Sequence, residues 1–295
     1  MMLEIELCGL RLRNPMILAS GILGNYSSSL NRIAAHAGAV VSKSVGIEPR
    51  EGYSNPVIVN YGDGIINAVG LASPGAESFA EELKKFNKST PLIVSLFGSS
   101  PEEFASLTRF FPFADAFELN LSCPHAERAG LVVGSDPEVV REILSEVKKS
   151  TDKPVFAKLS PNIQDIVEIG ESAEKGGADA VVAINTVKGM SIDIFSKKPI
   201  LSNISGGVSG QAIKPIAIKC VWDLYESLKI PVIGVGGITS WKDVIEFMLA
   251  GAKAVQIGSA FFYSYKLLFS LKESLIAYTR MNGESLEDIV GKAHG

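Results

Sequence analysis

Eight short apolar runs, separated by helix signals, constrain the fold more than any other feature of this chain. They fall at residues 15–20, 39–44, 92–97, 116–122, 155–160, 180–186, 232–236 and 254–259, and most are rich in Val, Ile or Phe. Near-continuous apolar runs of this length suit strands buried on both faces of a parallel sheet, since a half-exposed strand would alternate. Helix starts lie between them. Ser100-Pro101 with Glu103 combines a capping serine, a proline where no backbone donor is needed and an acid that can reach back. Asp136-Pro137 repeats the device ahead of Val139, Val140, Ile143, Leu144 and Val147 at helical spacing. Ile163, Ile166, Val167 and Ala173 form another such face, Ser240 with Asp243 opens a further helix, and residues 265–280 form a long terminal one. Gly-Ala pairs at 38–39, 177–178 and 251–252 read as helix C-caps handing over to strands. Residues 3–7 and 10–13 alternate around Cys8-Gly9 and predict a short β-hairpin ahead of the main fold.

Eight strands alternating with helices over about 250 residues is the arithmetic of a (β/α)8 TIM barrel. The doubly wound alternative normally carries its glycine-rich turn after the first strand, whereas here the glycines gather late. The expectation is therefore an α/β chain with one barrel domain over residues 1–295, an N-terminal β-hairpin and long loops on the active face. Those loops are residues 45–91 and 187–211, too long to be mere turns.

Charge and cysteine usage narrow the function classes. With 28 Lys and Arg against 32 Asp and Glu, the chain has a formal charge of -4 and no basic footprint for nucleic acid or anionic lipid. No apolar run approaches a membrane span, and Met1-Met2-Leu3-Glu4 lacks the basic start of an export signal, so a cytoplasmic protein is expected. Cys8, Cys123 and Cys220 form no CxxC pair, which argues against a disulfide framework or a zinc or iron–sulfur site in this chain. His36, His125 and His294 are too few for a His-based metal site or a hydrolytic triad, and no metal is expected.

In a barrel of this kind the strand ends converge on one mouth. Ser20-Gly21, Lys43-Ser44, Asn120 with Ser122 and Cys123, Lys158 with Ser160, and Asn185-Thr186 stand at those ends. Lys158 interrupts an apolar run, and a buried ammonium needs a partner; the bland alternative is a lysine snorkelling at the rim. Cys123 is followed at once by Pro124, which turns the chain away and leaves a thiol at the lip of a strand, a position suited to a reacting group. Gly206-Gly207, Gly236-Gly237 and Gly258-Ser259 suggest exposed backbone N–H groups in the loops where this fold commonly binds phosphate. A phosphate site, two lysines, several amides and a thiol fit redox chemistry on a phosphate-bearing cofactor. They equally fit a Schiff-base aldolase using Lys158 on a sugar phosphate.

The stretches Lys43–Gly52, Asn67–Leu71, Asn120–Pro124, Lys158–Pro161, Ile184–Thr186 and Gly234–Ile238 resemble, in order and spacing over nearly the whole chain, the class 1 dihydroorotate dehydrogenases. That resemblance implies a (β/α)8 barrel that binds flavin mononucleotide (FMN) and oxidises dihydroorotate to orotate in pyrimidine (UMP) synthesis. Cys123 would take a proton from C5 of dihydroorotate while hydride passes from C6 to flavin N5. Lys43, Asn67, Asn120, Asn185, Thr186 and His125 would bind substrate. Ala19, Ser20, Gly21, Lys43, Ser44, Asn120, Lys158 and Ile184 would line the flavin, with Lys158 at its N1/O2 edge. Gly206, Gly207, Gly236, Gly237, Gly258 and Ser259 would take the phosphate. His125 is a departure, since the family commonly carries asparagine there, and residues 125–135, with Gly130 and Gly134, read as a closing lid. The Glu48-Pro49-Arg50 segment and residues 53–66 are closer to the branch that pairs with a subunit carrying FAD and an iron–sulfur cluster to use NAD. The resemblance further implies a homodimeric core. An uncharged dihydropyrimidine is the same-class alternative substrate.

Overall fold

The computed structural model describes residues 3–122 and 133–295. Strands β1 (Ile5–Leu7) and β2 (Leu10–Leu12) pair antiparallel as the predicted hairpin. Its inward side chains Ile5, Leu7 and Leu12 join Ile17, Ile93, Phe156 and Ile233 in one buried cluster, so the hairpin floors the barrel.

The barrel strands are β3 (Met16–Leu18), β4 (Ala39–Val41), β7 (Leu92–Leu96), β8 (Ala116–Asn120), β9 (Val155–Leu159), β10 (Ala180–Ala183), β15 (Val232–Val235) and β16 (Ala252–Ile257). They pair in parallel in chain order, and β16 closes on β3 through Val255 opposite Met16. Each overlaps one of the eight apolar runs, with β16 starting and ending two residues earlier than its run. Around them pack α1 (Ser27–Ala34), α2 (Ala76–Leu83), α3 (Pro101–Thr108), α4 (Pro137–Ser150), α5 (Ile166–Lys175), α6 (Lys214–Ser227), α7 (Trp241–Leu249) and α8 (Leu267–Asn282). Ser100 Oγ accepts from Glu103 N at 3.2 Å, Asp136 caps α4, and Ser240 and Asp243 form a reciprocal capping box on α7. Such a cap is worth about 1 kcal/mol. On α4, Val140, Ile143, Leu144 and Val147 form the buried face.

Three local expectations need correction. Asp165 caps α5, so Ile163 stands in the loop before that helix and lines the cavity instead. The terminal helix begins and ends two residues later than its pattern. Gly38 is no helix cap, because α1 ends at Ala34; a Cβ on Gly38 would lie 1.9 Å from the Asn14 carbonyl oxygen, so close backbone approach is what requires glycine. Gly177 and Gly251 do follow helix ends with positive φ, at 95° and 111°.

The two long connections are not independent loops. β5 (Ile58–Asn60) and β6 (Gly64–Asn67) come from the first, β11 (Val187–Gly189) and β14 (Gly206–Gly210) from the second, and they form one antiparallel sheet in the order β11-β14-β6-β5. β12 (Ile192–Asp193) and β13 (Lys198–Pro199) add a small hairpin. Pairing satisfies the backbone of these segments and builds a wall over the barrel mouth. Among the described residues no helix is long and apolar enough to cross a membrane.

Candidate active site

Between the barrel mouth and that wall lies a cavity of about 1090 Å³. Every predicted site residue among those described lines it, from Ala19 after β3 to Ser259 after β16. Cys123 and His125 lie outside the described residues, as does most of the predicted lid; Val133–Ser135 form one turn of 3-10 helix.

The amides at the strand ends are locked by one another. Asn185 Nδ2 donates to Ser122 Oγ at 2.9 Å and to Asn120 Oδ1 at 3.2 Å, while the Thr186 N–H donates to Asn185 Oδ1 at 2.8 Å. Asn120 Nδ2 donates to Ser44 Oγ at 3.4 Å, and Ser44 continues to Ser95 at 2.9 Å and Ser20 at 3.1 Å. This chain fixes which amide atom faces the cavity at each position. Asn67 Nδ2 donates to the Gly207 carbonyl at 3.3 Å, a side-chain bond that reinforces the β6–β14 pairing within the wall.

The two lysines differ. Lys158 does not snorkel at the rim: it is 6% exposed, and its Nζ donates to Gln256 Oε1 at 3.0 Å and to Glu118 Oε1 at 3.4 Å. Bound to a carboxylate and an amide, its Nζ is held in place rather than left free to reach a substrate carbonyl, as a Schiff-base mechanism needs. Lys43 is half-buried and lines the cavity; its backbone bonds to Gly24 and Ser42, but its Nζ has no hydrogen bond or ion pair to any described residue. Burial pulls its pKa below the usual lysine range. A desolvated ammonium facing a cavity is a ready site for an anionic or carbonyl-bearing ligand.

At the far end, Gly236 and Gly237 have φ of 136° and 75°. The turn they begin is held by Asp243, which accepts from the Thr239 N–H at 3.0 Å and the Ser240 N–H at 2.8 Å and pairs with Lys214 at 2.7 Å. Burial works against ionisation of Asp243, but the Lys214 ammonium and these donors hold it below the usual carboxylate range. Gly206 and Gly207 belong to β14, paired on both sides, rather than to a free loop; a Cβ on Gly207 would lie 2.0 Å from Thr186 Oγ1, so close packing explains that glycine. Gly210, outside the glycine pairs predicted from the sequence, lines the cavity beside Gly237 with φ 107°. Glu118 and Gln256 were also missed; the available signal was a polar residue interrupting each apolar run. Burial pushes the Cys8 thiol up to about 12 and that of Cys220 up to about 11, so neither is a nucleophile or base near neutrality.

A closed (β/α)8 barrel that gathers lysines, amides and glycine turns around one deep cavity at its C-terminal mouth is a barrel enzyme with its active site there. The sequence model of the dihydroorotate dehydrogenase family matches residues 2–278. Full-length relatives agree. The chain is 55% identical over 296 residues to the dihydroorotate dehydrogenase B (NAD(+)) catalytic subunit of Archaeoglobus fulgidus, covering 99% of both chains. It is 53% identical over 298 residues to the protein of the same name from Pyrococcus horikoshii (99% and 98% covered), and 49% over 299 to that from Methanothermobacter thermautotrophicus (99% of both). The chain belongs to the dihydroorotate dehydrogenase family.

Proposed function

We propose that this chain is the catalytic, FMN-binding subunit of an NAD-linked dihydroorotate dehydrogenase, oxidising dihydroorotate to orotate for pyrimidine synthesis in the cytoplasm. Full-length identity to relatives named as catalytic subunits supports the activity and the existence of a second subunit. The observation that carries the site assignment is Lys43, a desolvated ammonium whose Nζ has no partner among the described residues and which shares its cavity with a locked amide cluster. It matches a planar ring that bears carbonyls and a carboxylate.

The residues fit FMN. Gly210, Gly236, Gly237 and Gly258, with the Ser259 hydroxyl, line one corner of the cavity and would offer backbone N–H groups to the phosphate. Ala19, Ser20 and Gly21 would back the ring, Ser44, Asn120 and Ile184 would flank it, and Lys158 would meet its N1/O2 edge. Bound there, FMN supplies the two-electron acceptor. Asn67, Asn120, Asn185 and Thr186 would hold the substrate's amides and carboxylate, and Lys43 would neutralise that carboxylate's charge. Cys123 would remove the C5 proton, with His125 beside the substrate. Chain-borne cysteines form no cluster, so electrons would leave through a partner subunit carrying FAD and an iron–sulfur centre. Exposed Ile192, Ile194 and Phe195 on the β12–β13 hairpin, at 55%, 76% and 88%, support a homodimeric core.

The test is the visible spectrum of the purified protein, recorded anaerobically before and after adding dihydroorotate. Flavin bands that bleach are expected. Bands that persist would overturn the substrate, and a protein that takes up no FMN would overturn the reading entirely. Lys43→Met should weaken orotate binding ~10- to 100-fold, the value of about 1.5–3 kcal/mol for a hydrogen bond to a charged group. Because burial lowers the pKa of Lys43, wild-type affinity for orotate should fall as pH rises and do so before the ordinary lysine value of about 10.4. Titration calorimetry across pH should show Lys43→Met without that limb.

A further inference from the structure

The barrel interior is apolar at its floor and polar at its mouth, and one buried charged layer stands between. Ala116, Phe156 and Ala254 belong to the floor cluster. Two residues further along the same strands, and therefore on the same inward face, come Glu118, Lys158 and Gln256. Glu118 is 0% exposed, Gln256 1%. β8 and β9 are neighbours, but β16 lies across the lumen, so Gln256 reaches the pair from the opposite wall. Lys158 donates to both Glu118 and Gln256, and Gln256 Nε2 donates to the second oxygen of Glu118. Each member of the triad contacts the other two.

Stability does not explain this arrangement. A buried ion pair is often matched or exceeded by well-packed apolar residues, whereas breaking one by removing a single partner is costly. Position does explain it. An ammonium has three donors. Two are taken by the triad, from below and across, and the third remains for the cavity that Lys158 and Gln256 line and Glu118 does not.

We infer that Glu118 is a positioning residue that acts through Lys158: it holds the cation at the edge of the bound flavin and so favours flavin reduction. The inference rests on the proposed FMN site. Without the carboxylate, the ammonium loses the partner that fixes it from below and withdraws from its place, which weakens the positive field where negative charge collects on reduction.

The experiment measures the two-electron midpoint potential of bound FMN in the wild type, Glu118→Gln, Lys158→Gln and the double variant. Each single variant should lower the equilibrium constant for reduction about tenfold, or about 30 mV for a two-electron couple. The double variant should fall no further than Lys158→Gln alone. An unmoved or raised potential in Glu118→Gln overturns the inference, as does a Glu118→Gln shift that persists undiminished in the Lys158→Gln background. Should Glu118→Gln not fold, Glu118→Asp keeps the charge and withdraws it by one methylene; its potential should fall by less, and an unmoved value overturns the inference equally. A wild type that binds no FMN would sink the cofactor assignment and this inference together, whereas bound FMN with unmoved potentials sinks the inference alone.

Discussion

Replacing Cys123 with alanine should leave the protein able to hold FMN yet slow the reduction of that flavin by dihydroorotate by at least ~100-fold, the lower end of what a positioned general base contributes. The chain offers few other bases. Cys8 and Cys220 are pushed far above neutrality by burial, Lys158 is committed to Glu118 and Gln256, and Lys43 is the cation proposed for the substrate carboxylate. The strand that delivers Cys123 is well anchored up to its last described residue, since Ser122 receives the Asn185 amide at 2.9 Å. A thiol acting as base works through its thiolate, and a free cysteine ionises at about 8.5. The wild-type reduction rate should therefore climb with pH through the thiol's ionisation, and this limb should be missing in Cys123→Ala. Anaerobic stopped-flow absorbance at the flavin band reads both quantities. An alanine variant that reduces its flavin at the wild-type rate would remove Cys123 from the mechanism and bring His125 forward as the base.

The barrel was legible in the sequence because parallel strands buried on both faces leave apolar runs that need no partner to be recognised. Caps were legible for the same reason: Ser100, Asp136 and Ser240 act on backbone donors two or three residues away. What stayed hidden depends on distant partners. Asn67 and Gly207 lie 140 residues apart yet face each other in β6 and β14, so the sheet over the mouth read as two loops. Glu118 takes its meaning from Lys158 and Gln256, 40 and 138 positions away, which no local pattern connects to it. Gly38 and Gly207 illustrate a further limit. A glycine demanded by a close neighbour is indistinguishable in sequence from one that caps a helix or frees a loop for phosphate.

That ambiguity can be resolved at Gly237, where alanine should reduce FMN affinity by at least ~100-fold. Two costs combine there. At φ 75° any Cβ is strained, by about 1–2 kcal/mol. A Cβ would also lie 2.7 Å from the Lys214 Cβ and 2.9 Å from the Gly210 carbonyl oxygen. Both neighbours belong to the proposed phosphate corner, since Gly210 lines the cavity and Lys214 holds Asp243 beneath the turn. Relieving the clash must therefore displace the groups that would hold the phosphate. Gly283 separates the two costs: its φ is 69°, and a Cβ there meets nothing within 4 Å. Gly283→Ala should cost about 1 kcal/mol of stability from backbone strain alone and leave FMN affinity unchanged. Quenching of FMN fluorescence on titration with apoprotein gives the affinities, and thermal unfolding of the same samples gives the stabilities. If Gly237→Ala matched Gly283→Ala in both, strain without ligand contact would account for Gly237, and the phosphate would belong with Gly258 and Ser259 alone.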